Sequence, residues 1–544
     1  MSRISRDLAE SAHNAYSNGS LSTVQSRRRA AGKAPSVAII GAGFSGLRCA
    51  DVLARSGVQV TMYEARDRIG GRVHQQQSGG YLMDMGPNWI HGTVGNPIMK
   101  LALGTGTVVM EPEEAGALFD SHGQRRADEE ATELSSMVWE MVIDAFKYSD
   151  ENSANINPQT SLYDYFKAQW QRKVQDKDRL DDLLKETQTW GPFVGDPVER
   201  QSLKFFFLEE CIDGENVFVA NTYQRILHQV GQTALGQADM HFNQEVVHFD
   251  LADSRSGPPV ILTTAQGDQR GFDDVVVTCP LGWLKRHRQT AFTPSLPARL
   301  SQAIDNINYG RLEKLYVTFP SAFWMVESAS SPDGSSFPVF AHFHDPSYIP
   351  HPSTEAWNQS LVSLAHLPAP CNHPTLLFYI YGPCATAVVQ RVTGLEPHSA
   401  PYDAALTAFA EPFYRLLPNY SSTQPDCQPT SFLMTQWQND PYAGHGSYCN
   451  FQIGLEKGDQ DIEIMRDAGG LTEKGLWLAG EHTAPFIALG TTTGAWWSGE
   501  AVARRICAKY GLDVPAEAVT DDEMRRKDLV AGHADAANMN GLAI

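Results

Sequence analysis

The sequence predicts an α/β fold, and three observations support this. Strand, helix and strand follow one another within residues 36–64: an apolar strand at Ser36–Ile40, a helix at Leu47–Ser56 and a strand at Val58–Glu64. A glycine-rich turn joins the first strand to the helix. Residues 475–508 repeat the order of strand, glycine loop and helix. Such alternation is typical of helices that cover a parallel, Rossmann-like sheet.

The remaining elements follow from the patterning of apolar and polar residues. Amphipathic helices rich in Glu, Asp and Lys are predicted at residues 128–147 and 161–189. Strands are predicted at the β-rich stretches 259–263, 273–279 and 311–319. Residues 325–375 are rich in Pro, Ser and His, and they are predicted to form long loops.

Composition and length limit the possible function classes. The 544 residues are 42% hydrophobic and 19% charged, so the chain is globular and can bury a core without a disulfide or a metal. Acidic residues outnumber basic ones by 63 to 43, and the net charge of −20 argues against nucleic acid or an anionic membrane as partner. The longest apolar stretch, Leu376–Val389, contains a Gly-Pro pair and is too short to span a membrane.

The eight cysteines are isolated, and none forms a C-x-x-C pair. No metal site is therefore predicted, and reduced cysteines favour an intracellular location, with the cytoplasm expected. Residues 1–35 are predicted to be a disordered leader and residues 513–544 a C-terminal tail. The Arg- and Ser-rich leader leaves organellar targeting open, although Asp7 and Glu10 weaken that alternative.

A glycine-rich loop carries the first functional signal. Residues 41–46 fit G-x-G-x-x-G between a strand and a helix. Gly41 permits a tight turn, Gly43 lets the backbone approach a pyrophosphate, and Gly46 lets the helix pack closely. Glu64 ends the next strand, where it can accept hydrogen bonds from ribose hydroxyls. A purely structural turn is the alternative, but the combination favours dinucleotide binding without distinguishing NAD from FAD.

The segment after Glu64 bears on the choice between NAD and FAD. Residues 66–72 contain three arginines and a Gly-Gly pair. Arginine forks neutralise a pyrophosphate, and paired glycines let the main chain lie close to a flat ring. A solvated basic turn would have the same composition.

With its flanking motifs, the chain resembles the flavin amine oxidases, which include polyamine oxidases, monoamine oxidases and lysine-specific histone demethylases. The resemblance covers residues 36–510, and its strongest stretches are Val37–Val73, Asp84–Gly92, Val275–Gly282, Gly310–Pro320 and Trp477–Gly499. It implies a discontinuous FAD-binding domain with an α+β substrate-binding domain. The FAD-binding domain would take residues 36–105, 224–300 and 446–512, and the substrate-binding domain residues 106–223 and 301–445.

The resemblance also assigns cofactor residues. Those expected around the diphosphate, ribose, adenine and flavin of FAD are Gly41, Gly43, Ser45, Gly46, Glu64, Arg66, Gly71, Arg72, Val246, Trp437, Glu481 and Thr492. Monoamine oxidases attach FAD to the cysteine of a Gly-Cys-Tyr motif, and Ser447 stands at that position here. Noncovalent FAD is therefore expected. Cys449 lies on the same side of an extended segment as Ser447, which leaves it as a minor alternative attachment site.

The same resemblance points to one catalytic residue, Lys314. It matches a lysine that the family bridges by water to the flavin, and it lies on a predicted strand beside Tyr316 and Thr318. An exposed lysine on a polar strand face is the alternative.

Substrate-binding positions implied by the family are His91, Tyr448 and Thr491. Tyr448 would form one aromatic wall, whereas Thr491 replaces the aromatic residue often found opposite it, so the pocket should be wide. Glu209, Glu210 and Asp213 form either an acidic rim for a polycation or a solvated face.

The sequence therefore predicts an FAD-dependent amine oxidase that oxidises a polyamine or a bulky primary or secondary amine. Hydride would pass to the flavin and then to O2, giving H2O2 and an imine that hydrolyses to an aldehyde. The alternatives are an L-amino acid oxidase, a chromatin-associated lysine demethylase and a non-catalytic flavoprotein. The expected partners are the small-molecule amine and O2, and the oligomeric state is left open.

Overall fold

The computed structural model describes residues 34–112, 116–251, 259–325, 337–352 and 357–515. The predicted leader at 1–35 and tail at 513–544 lie outside these residues, except at 34–35 and 513–515.

A five-stranded parallel sheet lies at the centre of one half of the molecule. Its strand order is Leu476–Leu478, Asp274–Val277, Ser36–Ile40, Gln59–Tyr63 and Asp239–His241. Val37 and Ile39 pack into one apolar cluster, and Ala38 and Ile40 pack into another. The sheet is thus buried on both faces, as parallel sheets require, and the α/β prediction is confirmed.

A second sheet has six strands and is mainly antiparallel. Its order is Ser431–Met434, Leu312–Thr318, Thr375–Tyr381, Asn358–Ser363, Phe340–His344 and Gly116–Phe119, and only the last two pair in parallel. Leu315 and Val317 point into a large apolar cluster behind this sheet, whereas Tyr316 belongs to a separate cluster on the opposite face. Lys314 shares that opposite face, as the alternation of the strand predicts.

Smaller sheets and thirteen α-helices complete the described parts of the chain. The smaller sheets comprise Gln269–Phe272, Val260–Thr264, Val246–Asp250 and Phe292–Thr293; Asn308–Tyr309 and Cys449–Asn450; Gln75–Ser78 and Tyr81–Asp84; and Trp89–Ile90, Val217–Val219 and Val109–Met110. The helices are Phe44–Arg55, Pro97–Gly104, Asp128–Asn152, Leu162–Lys173, Lys177–Glu186, Gly191–Val194, Gln224–Gln237, Leu281–His287, Ala298–Asn306, Gly382–Val392, Ala400–Tyr414, Gly458–Arg466 and Thr492–Tyr510.

The prediction of long loops over residues 325–375 is wrong in part. The strands Phe340–His344 and Asn358–Ser363 lie in the middle of the six-stranded sheet. Asn358 and Gln359 are fully buried, and their amide groups donate to the backbone oxygens of Lys185 and Tyr379. Tertiary hydrogen bonds therefore stabilise strands whose polar sequence resembles a loop.

The predicted helix at 161–189 is divided into two helices, Leu162–Lys173 and Lys177–Glu186. Asp176 caps the second helix, because its side chain accepts a hydrogen bond from the backbone N–H of Arg179. The parallel sheet combines strands from three distant parts of the chain, but the proposed domain boundaries themselves stay a prediction.

A buried pair links the end of helix Lys177–Glu186 to the six-stranded sheet. The Glu186 carboxylate hydrogen-bonds the His344 ring, and both side chains are buried. Burial opposes ionisation of Glu186, but the neighbouring His344 outweighs it and lowers the pKa of this carboxyl group. The carboxylate therefore stabilises the fold above the ordinary glutamate pKa, and this contribution is lost as the pH falls through the lowered value.

We expect Glu186→Gln to lower the free energy of unfolding at neutral pH by about 1–3 kcal/mol, because a buried charged hydrogen bond is lost. Urea unfolding at stepwise lower pH should show this difference shrinking below about pH 4, where wild-type Glu186 becomes protonated. Glu151→Gln, at an exposed position, is the control. If the difference in unfolding free energy between wild type and Glu186→Gln stayed the same at acidic pH, the ionised Glu186 would not be its source.

Candidate functional site

One cavity of about 800 Å³ collects almost all the predicted site residues. From the predicted cofactor set it is lined by Gly41, Gly43, Ser45, Glu64, Arg66, Gly71, Arg72, Val246, Trp437, Glu481 and Thr492. From the predicted catalytic and substrate set it is lined by Lys314, His91, Tyr448 and Thr491. The remaining residue, Gly46, lies behind the loop, where an added Cβ would come within 2.0 Å of the Gly41 carbonyl oxygen.

The glycine loop leaves polar groups and open space at one end of the cavity. Gly41 has φ of +105°, which disfavours any residue with a side chain. A Cβ on Gly43 would meet no atom within 4 Å, so the backbone before helix Phe44–Arg55 is bare toward the cavity. The buried Ser45 hydroxyl has no hydrogen-bond partner among the residues that the structure describes. A helix N-terminus, bare backbone and an unpaired hydroxyl fit a diphosphate.

Glu64 holds this loop against the end of its strand. One carboxylate oxygen accepts from the Ala42 N–H at 2.7 Å, and the other accepts from the Arg66 N–H at 2.9 Å. The carboxylate is buried at the cavity wall. It is therefore fixed in orientation at the position where a ribose acceptor is predicted.

Two predicted arginines on the wall of the cavity are held by carboxylates. Arg66 donates to Asp440 at 2.8 Å, and Arg72 donates to Glu481 at 3.0 Å and to the Ser447 carbonyl oxygen. Burial opposes ionisation of Glu481, but the charge of Arg72 outweighs it and lowers the pKa of this carboxyl group. Contact of either arginine with a cofactor stays a prediction.

Lys314 is buried, with 5% of its surface exposed, so the alternative of an exposed lysine is wrong. Its Nζ donates to the backbone oxygens of Asp84 and Gly86 and to the side-chain oxygen of Asn88. Burial lowers the pKa of Lys314, against the opposing effect of the Asp84 carboxyl group, whose own pKa burial raises. The amine is thereby held by acceptors and is easier to neutralise than a surface lysine.

A hydrogen-bonded network of aromatic residues surrounds this lysine. Tyr379 donates to the side-chain oxygen of Asn88 and accepts from the Trp89 indole, each at 3.0 Å. Tyr316 donates to the Asp84 carbonyl oxygen at 2.6 Å. Sequence reasoning assigned no role to Asn88 or Tyr379. Asn88 lies in the conspicuous segment 84–92, whereas nothing local to Tyr379 predicts its position.

Glu313, on the other face of the same strand, positions the turn that carries Trp437. Its buried carboxyl group accepts from the Thr435 hydroxyl at 2.5 Å, the Trp437 N–H at 3.1 Å and the Gln438 N–H at 3.0 Å. Burial raises the pKa of Glu313 to about 7 despite these hydrogen bonds. One strand therefore fixes both Lys314 and the backbone of Trp437.

The predicted substrate residues have additional structural contacts. The Tyr448 hydroxyl donates to the Phe193 carbonyl oxygen at 2.6 Å. Thr491 caps helix Thr492–Tyr510, because its side chain accepts from the Gly494 N–H at 2.9 Å. His91 hydrogen-bonds Asn216 at 3.3 Å, and burial lowers its pKa, so the ring is neutral near pH 7.

Ser447 and Cys449 both line the cavity, but so does Tyr448 between them, and the predicted alternation along this segment therefore stays a prediction. The Ser447 hydroxyl accepts from the Leu312 N–H at 3.2 Å. Burial, followed by the charge of Glu481, raises the pKa of the Cys449 thiol well above its usual range. Such a thiol is a poor nucleophile, which agrees with the minor place of Cys449 in the prediction.

The lining of the cavity also includes an aromatic wall and several carboxyl groups that sequence reasoning did not place together. Helix Asp128–Asn152 contributes Trp139 and Phe146, and the segment after helix Lys177–Glu186 contributes Trp190 and Phe193. The carboxyl-bearing lining residues there are Asp150, Glu209, Glu210, Asp213 and Glu215. The predicted helix at 128–147 contains the first pair, seven residues apart, but only the fold brings both pairs to one cavity.

Residues 44–507 match the model of the family described as flavin containing amine oxidoreductase. The chain belongs to this family. It therefore uses a flavin. The matched region includes most of the residues that line the cavity, Lys314 among them, although Gly41 and Gly43 of the glycine loop precede it.

Named relatives of this flavin-containing amine oxidoreductase include two polyamine oxidases. Polyamine oxidase 4 of Oryza sativa subsp. japonica is 25% identical over 511 residues, covering 90% of this chain and 93% of that protein. The human peroxisomal N(1)-acetyl-spermine/spermidine oxidase is 24% identical over 546 residues, covering 88% of this chain and 96% of that protein.

The fold is also that of a solved amine oxidase. A redesigned putrescine oxidase superposes with a TM-score of 0.61 at 17% identity, covering 87% of this chain and 99% of that chain. The predicted amine oxidase fold is therefore confirmed. Within the described residues, no helix is long and apolar enough to cross a membrane, and the predicted compartment stays a prediction.

We expect Glu64→Ala to lower the flavin content of the purified enzyme by tenfold or more, because the change removes a buried acceptor and releases the glycine loop. The ratio of flavin to protein absorbance measures this. Glu463→Ala, at an exposed position, should leave the ratio unchanged. Equal flavin content in the two variants would show that the dinucleotide site is misassigned.

Proposed function

We propose that the protein is an FAD-dependent oxidase of polyamines or bulky primary or secondary amines, with O2 as electron acceptor. The observation that carries this proposal is the single cavity that runs from the glycine loop to Lys314 and an aromatic pocket. The named polyamine oxidases among its relatives support the choice of amine.

The residues at the dinucleotide end fit FAD. Gly43 and Ser45 would meet the diphosphate, and Glu64 would accept from the ribose hydroxyls. Bound there, FAD would supply two-electron chemistry: it would accept a hydride equivalent from the carbon beside the amine nitrogen, leaving an imine, and the two electrons with two protons would reduce O2 to H2O2. Water then hydrolyses the imine to an aldehyde and an amine or ammonia.

Lys314 is the proposed catalytic residue. Its amine donates to the backbone oxygens of Asp84 and Gly86 and to the side chain of Asn88, and these acceptors fix the position from which the amine can exchange a proton. The lowered pKa leaves part of Lys314 as the neutral amine near pH 7, and a neutral amine can order a water beside the substrate and accept a proton from it.

The part of the cavity that is lined by carboxyl groups suits an amine that arrives as a cation. The Glu209 carboxyl group accepts a hydrogen bond from the Phe451 N–H at 3.2 Å, and burial raises its pKa to about 7. Together with Glu210 and Asp213 it attracts cations from solution, whereas the neutral His91 ring accepts or donates a hydrogen bond without repelling them.

An L-amino acid oxidase is less well supported. Such an enzyme needs an arginine fork for the substrate carboxylate. The arginines that line this cavity are Arg66 and Arg72, and both are paired with protein carboxylates. Neither lining arginine is therefore left to form a fork with a substrate carboxylate.

We expect the flavin to be released as free FAD when the protein is denatured with acid, because Ser447 occupies the usual attachment position. Chromatography of the supernatant after precipitation identifies it. Flavin that remains with the precipitated polypeptide would contradict noncovalent binding. If the precipitated Cys449→Ser variant then lacked flavin, Cys449 would be identified as the attached residue.

We expect Lys314→Met to lower amine-dependent H2O2 release by about two orders of magnitude, because a positioned proton-transfer group is removed. Flavin content should be retained, since the dinucleotide end does not contact Lys314. Lys167→Met, at an exposed position, is the matched control. Near-normal turnover in Lys314→Met with flavin bound would remove this lysine from the mechanism.

A further inference from the structure

We propose that the aromatic wall of the cavity binds an extended apolar arm of the amine, and that this wall sets substrate preference by arm length. We define the arm wall as Trp139, Ile143, Phe146, Trp190 and Phe193, all of which line the cavity. The inference rests on the proposed amine oxidase function and names the kind of amine that the enzyme prefers.

One face of helix Asp128–Asn152 forms the long side of the arm wall. Trp139, Ile143, Phe146 and Asp150 follow one another at spacings of four, three and four residues, which places them on a single helix face. Over these residues the helix rises roughly 16 Å at 1.5 Å per residue. The wall is therefore long enough for a chain of many carbon atoms, rather than for one methyl group.

The rings of the arm wall support one another. Trp190 and Phe193 stack with centroids 5.1 Å apart, and Trp139 meets the Phe193 ring edge-on at 5.7 Å. Phe146 contacts Trp190 at 5.9 Å and stacks on Phe206 at 4.2 Å. Rings held in this way offer a preformed apolar surface, so an arm that binds there loses water without requiring the wall to reorganise.

A hydrogen bond joins the arm wall to Tyr448, one of the predicted substrate-binding residues. The Tyr448 hydroxyl donates to the Phe193 carbonyl oxygen at 2.6 Å, and both residues line the cavity. An amine placed beside Tyr448 therefore has its substituent directed along a surface that is fixed to the same tyrosine.

Charge at the far end of the arm wall restricts the arm further. Asp150 ends the lining face of the helix, and Glu210 and Asp213 lie in the same lining, with Lys147 as a neighbouring cation. The excess of negative charge disfavours an arm that ends in a carboxylate. A neutral arm, or one with a distal cation, meets no such repulsion.

Two chain-length series test the proposal in the flavin-loaded enzyme. Butylamine, hexylamine and octylamine report kcat/KM, and the corresponding alkyltrimethylammonium ions report binding by calorimetry without being turned over. We expect both kcat/KM and affinity to rise about twofold to fourfold for each added methylene, as full burial of a methylene allows. ε-Aminocaproate should react at least tenfold more slowly than hexylamine.

Variants test whether the arm wall is the surface responsible for the dependence on chain length. Phe146→Ala should lower the octyl-to-butyl ratio about tenfold or more in both series, and Phe146→Leu should give an intermediate ratio if the alanine variant is unstable. Tyr148→Ala is the matched control, because Tyr148 lies on the same helix but is exposed, and its ring packs at a tilt against Tyr165 rather than in the cavity lining. Its ratio should equal that of wild type.

Amine oxidation with no dependence on chain length in either series would overturn the arm-wall proposal and leave the proposed function intact. A strong preference for hexamethylenediamine over hexylamine without an octyl-to-butyl preference would also overturn it, in favour of a site for polycations. Failure to oxidise any amine while flavin is bound would instead overturn the proposed function. In that case the binding series would still decide the arm-wall proposal, because affinity that does not rise with chain length would overturn it.

Discussion

The burial of one amine explains much of how this molecule is arranged. Lys314 comes from the six-stranded sheet, whereas its acceptors Asp84, Gly86 and Asn88 come from a segment that follows the glycine loop and its paired glycines. A buried lysine without acceptors would be strongly destabilising, so these hydrogen bonds constrain the two regions to meet at one place. The cavity lies at that meeting point, with a dinucleotide end and an aromatic end.

Buried carboxyl groups fix the positions of three other parts of the site by accepting hydrogen bonds. Glu64 fixes the glycine loop, Glu481 holds Arg72, and Glu313 holds the turn that carries Trp437. Each of these groups accepts hydrogen bonds from backbone N–H or guanidinium groups that would otherwise need water. The lining of the cavity is thereby set before any ligand enters, which lowers the free-energy cost of binding.

The sequence alone predicted contacts between residues that lie close together in the chain. Contacts between distant segments required the family resemblance or the structure. The glycine loop and Glu64 lie within one strand–helix–strand unit, so their spacing alone predicts their meeting. Lys314 was recognised only through resemblance, because its burial depends on a distant segment. The polar strand Asn358–Ser363 was missed because its stability comes from tertiary hydrogen bonds, and the arm wall because two helical regions far apart in the chain form it.

The central claim is that an amine and a flavin meet in one cavity. Mixing the purified, flavin-loaded protein with an amine in the absence of oxygen tests this most directly, with the visible absorption of the flavin as readout. The account predicts that this absorption fades on mixing with hexylamine and returns when oxygen is admitted. An absorption that stays unchanged across the polyamines and alkylamines, while flavin remains bound, would contradict it.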